Sequence, residues 1–272
     1  MARLVLGTDK SVRIPAIVKE VQIPMPLTIQ KVKDANGKVV GGNTIIDLDG
    51  ATDVGNYIFY YAYYNNTNIT GAVDFSSLTT ISGQSACQYM FRGCTGITSV
   101  DLSSLTTVSG VSACRNMFQN CTGLTSVDLS SLATVSGSAA CNSMFSGCTG
   151  LTSVDLSSLA TVSGGTTCAY MFSNCTGITS VDLSSLTTVL DGNTCQYMFS
   201  GCTGLTSLSF PALTSTSFGS YTNQFNNMLY GVTGCTVHFP SNLQSVIGSW
   251  SDVTAGFGGT NTTVLFDLTA TS

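Results

Sequence analysis

Two hydrophobic periods alternate along this chain. Around Val127, Asp128 and Leu129 the apolar positions recur every second residue, which predicts a short strand with one buried face. In "ACNSMFSGC" (Ala140 to Cys148), Cys141, Met144, Phe145 and Cys148 fall at i, i+3, i+4 and i+7, which predicts about two turns of amphipathic helix. Thr149-Gly150 then predicts a turn into the next strand, with glycine suited to a positive φ.

This alternation repeats at a fixed interval. Cys87, Cys114, Cys141, Cys168 and Cys195 are each 27 residues apart, and so are Cys94, Cys121, Cys148, Cys175 and Cys202. A degenerate copy precedes them ("GAVDFSSLTTISG", Gly71 to Gly83), and two follow, "CTGLTSLSFPALTSTS" from Cys202 and "GCTVHFPSNL" from Gly234. About seven rungs with atypical ends are what a stacked array requires, because one coil cannot bury its own apolar face. The expected fold is a repeat solenoid: a right-handed coil with a stacked parallel β-sheet, short helical segments opposite it, and a small β-rich N-terminal arm. At about 4.8 Å per rung the stack would span roughly 30 Å.

The units resemble the bacterial surface leucine-rich repeats of the BspA type. The residues that carry the likeness are the Met-Phe pairs (Met117-Phe118, Met144-Phe145, Met171-Phe172, Met198-Phe199), the cysteine after each, and the "LTSVDLS" strand. The ending "CTVHFPSNL…IGSW" is similar to the closing rung of such arrays. The likeness covers Asp74 to Trp250 and leaves out the first fifty residues. It implies a leucine-rich-repeat-like solenoid displayed on a surface, with a host protein or glycan as its partner.

Charge divides the chain. Residues 1–42 hold seven of the nine Lys and Arg and carry a net +4, whereas the remainder carries −9. Such asymmetry marks a separate module. With three of the five prolines and no cysteine, residues 1–45 read as an extended attachment arm, with Arg3, Lys10, Arg13 and Lys19 as its contact residues. "LTIQKVKDANGKVVGG" predicts a hairpin turning at Ala35-Asn36-Gly37. A β-rich cap packed on the first coil is the other reading. The solenoid with its N-terminal cap then covers 46–217, and a closing rung and cap covers 218–272.

No run of 18 apolar residues exists, so no membrane span is expected. Nucleic acid would need a basic stripe interleaved with aromatics, which neither module offers. The N-terminus has too short an apolar stretch for a secretory leader. Bacterial members of the family are usually exported, whereas a virion protein needs no leader. The reading adopted is therefore a bacteriophage virion component, a fibre or head decoration, whose arm attaches to the particle, with trimerisation open to it. The alternative is a bacterial cell-surface adhesin.

Three features invite sharper chemistry. The cysteine columns suggest disulfides or metal, but partners seven apart on a helix lie about 10 Å apart, and the spacing does not suit zinc. Small buried free thiols are the expectation. Asp74, Asp101, Asp128, Asp155 and Asp182, again 27 apart, should face outward as an acidic stripe. They are the candidate ligand-binding residues, eased by hydroxyls at Thr98, Ser99, Ser103 and their equivalents or by a bound cation. No dedicated metal site or cofactor is expected. "NYIFYYAYYNN" (Asn56 to Asn66) reads as an end cap or as a sugar-stacking surface. The only histidine, His238, and the only glutamate, Glu20, leave no catalytic constellation, and no nucleophile elbow occurs. No enzyme activity is expected.

Overall fold

The computed structural model describes residues 52–214, 218, 223–248 and 256–269, and before them the backbone of strands at Val5–Leu6, Val12–Arg13, Thr28–Lys33 and Val39–Asp47. Each coil of the solenoid has three sides. One is the Asp-bearing strand, as in Gly96–Asp101, Ser126–Asp128, Ser153–Asp155 and Ser180–Asp182. The second is a two-residue strand that the hydrophobic pattern did not reveal, as in Thr107–Val108, Thr134–Val135 and Thr161–Val162. The third is a run of turns carrying the Met-Phe pair.

Strands stack parallel and in register at the repeat spacing. Val100 pairs with Val127, Val154 with Val181, and Thr134 with both Thr107 and Thr161. The short strands from Thr80–Ile81 to Thr188–Val189 form one uninterrupted five-stranded sheet. The alternation predicted for the Asp-bearing strand holds: Val127 and Leu129 are buried, while Asp128 between them is exposed.

The third side corrects the helical expectation. Among the described residues the repeats contain no helix there; the chain makes consecutive tight turns with a left-handed residue every fourth position, such as Ser112 (φ 54°), Asn116 (57°) and Asn120 (60°). Hydrogen bonds alternate accordingly. The N–H groups of Arg115, Met117, Gln119 and Cys121 donate to carbonyls three residues back, and those of Cys114, Asn116, Phe118 and Asn120 donate to the next coil at 2.7–2.9 Å. A two-turn helix would leave its first four N–H groups unsatisfied and is too short to be stable alone. The turn ladder satisfies every one of these donors, half within the coil and half across it.

A second correction concerns the glycine after each Cys-Thr. Gly150 is not among the positive-φ glycines; a Cβ there would sit 2.9 Å from the carbonyl oxygens of Thr122 and Leu124 in the preceding coil. Close approach of the neighbouring backbone explains it, and the positive φ (76°) falls instead on Gly147.

The interior is one apolar column. Tyr63, Phe91, Phe118, Phe145, Phe172 and Phe199 stack ring on ring, with centroids 5.3–5.8 Å apart and planes within 1–10° of parallel. All eleven cysteines are free and buried. The second cysteine column has a structural use: the thiols of Cys121, Cys148, Cys175 and Cys202 donate to the carbonyl of the phenylalanine in the preceding coil at 3.1–3.2 Å. Burial pushes the Cys87 and Cys195 thiols up to about 12. The Cys114 thiol is raised first by its hydrogen bond with Cys141 and then by burial.

At the N-terminal end, Thr28–Lys33 pairs antiparallel with Val39–Asp47, and Asn43 joins that second strand in parallel to Thr70 of the first coil. The turn predicted at Ala35-Asn36-Gly37 lies outside the described residues. At the other end, Thr236–Pro240 leads into a short helical cap whose Leu243 and Ile247 are buried, and Thr263–Leu268 adds a final parallel strand.

Candidate binding surfaces

Each aspartate of the predicted stripe stands where its strand turns toward the short strand, and it holds that corner. Asp74 Oδ1 accepts from the N–H and Oγ of Ser76 (2.9 and 2.7 Å), and Asp128 Oδ1 accepts the same pair from Ser130 (3.0 and 2.7 Å). Asp101, Asp155 and Asp182 accept the N–H of Ser103, Ser157 and Ser184 at 3.0, 2.9 and 2.8 Å. The D-x-S sequence folds this way because a short carboxylate readily bonds the backbone two residues on. The Ser157 hydroxyl, then its N–H, hold the Asp155 carboxyl below the usual range. Of the hydroxyls expected to ease the stripe, those of Ser76, Ser130 and Ser157 bond the aspartate, whereas Ser103 and Ser184 contact it through the backbone N–H. The threonine at the Thr98 position bonds instead to the neighbouring coil, as Thr125 Oγ1 does to the Thr98 carbonyl at 3.0 Å.

The stripe lines a shallow trough. About 640 Å³ lies over Asp74, Asp101, Asp128 and Asp155 with Ser99 and Ser126 between them, and a further 450 Å³ runs on past Asp182. Ala72, Val73, Val100 and Val127 share its lining, and the carboxylates and hydroxyls among them suit a ligand that offers hydrogen-bond donors. Among the described residues, no three His, Cys, Asp or Glu side chains converge as a metal site requires. Of the arm residues, Arg3, Lys10 and Lys19 lie outside the described residues. Arg13 is described only as backbone, in the strand that pairs with Val5–Leu6.

The aromatic stretch is the first turn ladder. Phe59 and Tyr63 enter the core, while Tyr57, Tyr60, Tyr61 and Tyr64 are 37–51% exposed. Tyr61 stacks on Tyr89 of the next coil at 4.5 Å, and Arg92 lies over the Tyr64 and Tyr89 rings while donating to the Tyr64 hydroxyl at 2.8 Å. Farther along the same side, Tyr170 stacks on Tyr197 at 4.8 Å, and Tyr230 meets Tyr197 edge-on. The sequence reading passed over this second group, although Tyr89, Tyr170 and Tyr197 share one register of the repeat.

His238 is not isolated: its Nδ1 lies 2.9 Å from Asp267 on the adjoining strand. Ser209 is in register with His238 on the other side, but the side-chain hydrogen bonds shown for His238 run to Asp267 alone.

Stacked coils with long polar flanks define a solenoid binding scaffold. The chain belongs to the BspA-type leucine-rich-repeat family: the "BspA type Leucine rich repeat region" matches in six copies over residues 52–194 and 115–248. Among solved structures it is similar to the Toll–Spatzle complex of Drosophila (15% identity, 82% of this chain and 32% of that one, TM-score 0.33). It is also similar to an internalin of Listeria monocytogenes (17%, 78% and 65%, 0.24) and to the pneumococcal vaccine antigen PcpA (11%, 91% and 97%, 0.22). The chain thus spans about a third of the first and just under two thirds of the second. Comparison with curated proteins gives no match. No helix among the described residues is long and apolar enough to cross a membrane.

Proposed function

We propose that this chain is a non-enzymatic, surface-displayed adhesion protein whose Asp-and-hydroxyl trough contacts a host-surface protein or glycan. One observation carries the reading: the outward side chains of the Asp-bearing strands repeat in register from coil to coil, so the trough offers a long ligand the same carboxylate and hydroxyl groups at each step. Residues 1–45 serve as the attachment segment, through Arg3, Lys10, Arg13 and Lys19, and join the solenoid to a parent assembly. That assembly is a bacteriophage virion, as fibre or head decoration, with the arm able to trimerise. Membership of the BspA-type family favours a second reading, a bacterial cell-surface adhesin.

The test uses the full chain on a glycan and host-cell panel. Asp128→Lys with Asp155→Lys should abolish binding while the circular dichroism spectrum shows the fold retained, with a melting temperature lowered by the two lost corner contacts. Binding left intact would remove the trough from the mechanism. Deleting residues 1–45 should leave binding in place and abolish incorporation into the parent particle. Recovery of the full chain from bacterial envelopes free of phage would replace the virion reading with the adhesin one.

A further inference from the structure

The turn-ladder side carries a break in its tyrosine column. The middle left-handed position of successive coils reads Tyr61, Tyr89, Asn116, Ser143, Tyr170 and Tyr197, with φ between 54° and 59° throughout. This backbone region suits asparagine or glycine and is unfavourable for a bulky side chain. Asn116 and Ser143 show that the coil closes without an aromatic residue there. The four rings flanking them are therefore not required by the backbone, and such outliers are a reason to look for function.

The rings stand in two stacked pairs, Tyr61 on Tyr89 and Tyr170 on Tyr197. Tyr89 and Tyr170 each turn a ring toward the two coils that have none. They are three coil steps apart, about 14 Å at the strand spacing, which leaves room for two sugar rings between them. The floor is polar: Asn116, largely buried, donates to the Gln119 side chain, and the half-buried Ser143 donates to that of Asn142. An aromatic side chain from a protein partner would find no apolar floor here, whereas a sugar needs both an aromatic wall for its C–H face and amide or hydroxyl groups for its edges. Of the two Lys or Arg residues after residue 42, Arg92 reaches back to Tyr64 in the preceding coil, whereas Arg115 is exposed and adjoins Asn116. Residues 43–272 are otherwise acidic, so Arg115 sets a positive charge against an anionic ligand at this place.

We propose that the notch between Tyr89 and Tyr170, floored by Asn116 and Ser143 and edged by Arg115, binds an acidic saccharide unit. This site lies on a different side of the coil from the Asp trough and does not depend on it.

The probes are alginate oligosaccharides, a uronate polymer, and neutral dextran oligosaccharides of equal length, titrated calorimetrically into the full chain. Alginate should bind and dextran should bind at least tenfold more weakly. Tyr89→Asn with Tyr170→Asn places the residue of the middle coil at the two walls. It should lower alginate affinity at least tenfold without lowering the melting temperature, because asparagine accepts the left-handed backbone. Arg115→Gln should weaken alginate and leave dextran unchanged. Asp128→Asn with Asp155→Asn, in the other surface, should leave alginate binding intact, so failure of the trough and failure of the notch are told apart. Unchanged alginate binding in the double tyrosine variant, equal binding of dextran, or no binding of either probe overturns the proposal. So does a melting temperature that falls in step with affinity, which would make the rings a packing feature.

Discussion

The last left-handed position of each turn ladder alternates between two residues: Asn65, Gly93, Asn120, Gly147, Asn174 and Gly201. A Cβ added to Gly93, Gly147 or Gly201 would collide with the side-chain oxygen of Asn65, Asn120 or Asn174 respectively. Each asparagine amide thus fills the space left by the missing side chain of the next coil. Gly147→Asn isolates that contact, because asparagine tolerates a φ of 76° better than other side chains. Two opposed effects then decide the sign. Replacing glycine restricts the unfolded chain and stabilises by about 0.4–1 kcal/mol. Driving the Asn120 amide off its rotamer costs about 0.5–1.5 kcal/mol, and it also gives up its contact with the next coil. The single variant should therefore be neutral to about 1 kcal/mol less stable than the native chain. With Asn120→Gly in place the collision vanishes, and the same substitution should become neutral or stabilising. The coupling between the sites is expected at about 1 kcal/mol, within the range for contacting residues. Urea unfolding of the four proteins, followed by far-ultraviolet circular dichroism with the slope m checked for constancy, measures it. A coupling below about 0.3 kcal/mol, or an unchanged sign in the two backgrounds, would refute the interlocking.

Two further outcomes test the core. Phe145→Ala removes a fully buried ring sandwiched between Phe118 and Phe172 and should cost about 3–5 kcal/mol in urea unfolding; under 1 kcal/mol would mean the rings do not form the packed column. The buried thiols set the alkaline limit: with folded values raised to about 12 at Cys87 and Cys195, the folded state keeps protons that the unfolded state releases above its ordinary thiol value. Stability should be constant up to about pH 8, then fall by up to about 1.4 kcal/mol per pH unit for each such thiol as pH rises toward 12, and a melting temperature unchanged from pH 8 to pH 11 would contradict it.

Much of this molecule was legible before its structure. The 27-residue identity, the alternation at Val127 and Leu129, and the atypical end copies specify stacked coils, the inward face and the family. The turn ladder was not legible, for a definite reason. Its buried pairs, Ala140-Cys141, Met144-Phe145 and then Cys148, recur every four residues, and over so short a segment that period matches the face of a helix to within one position. What separates the two is where the alternate N–H groups find their carbonyls, and that information lies in the neighbouring coil. The clue available within the unit was the polar residue at every fourth place in the preceding coil, Ser112, Asn116 and Asn120, which suits left-handed turns better than a helix interior.

The same reasoning separates the two candidate surfaces. A residue that appears in every coil is first explained by the geometry that every coil shares, and the aspartates illustrate this. Asp74, Asp101, Asp128, Asp155 and Asp182 each bond the serine two residues on, so their recurrence follows from the corner they hold, whatever else they bind. A departure from the repeat has no such explanation. Asn116 and Ser143 show what the ladder needs at its middle position, and the tyrosines on either side exceed that need against the preference of the backbone. Tyr89 and Tyr170 are 81 residues apart in sequence, and only the exact stacking of three repeats brings them to opposite walls of one notch. In an array of near-identical coils, conserved geometry makes the scaffold, and recognition is written in the positions where one coil differs from the next.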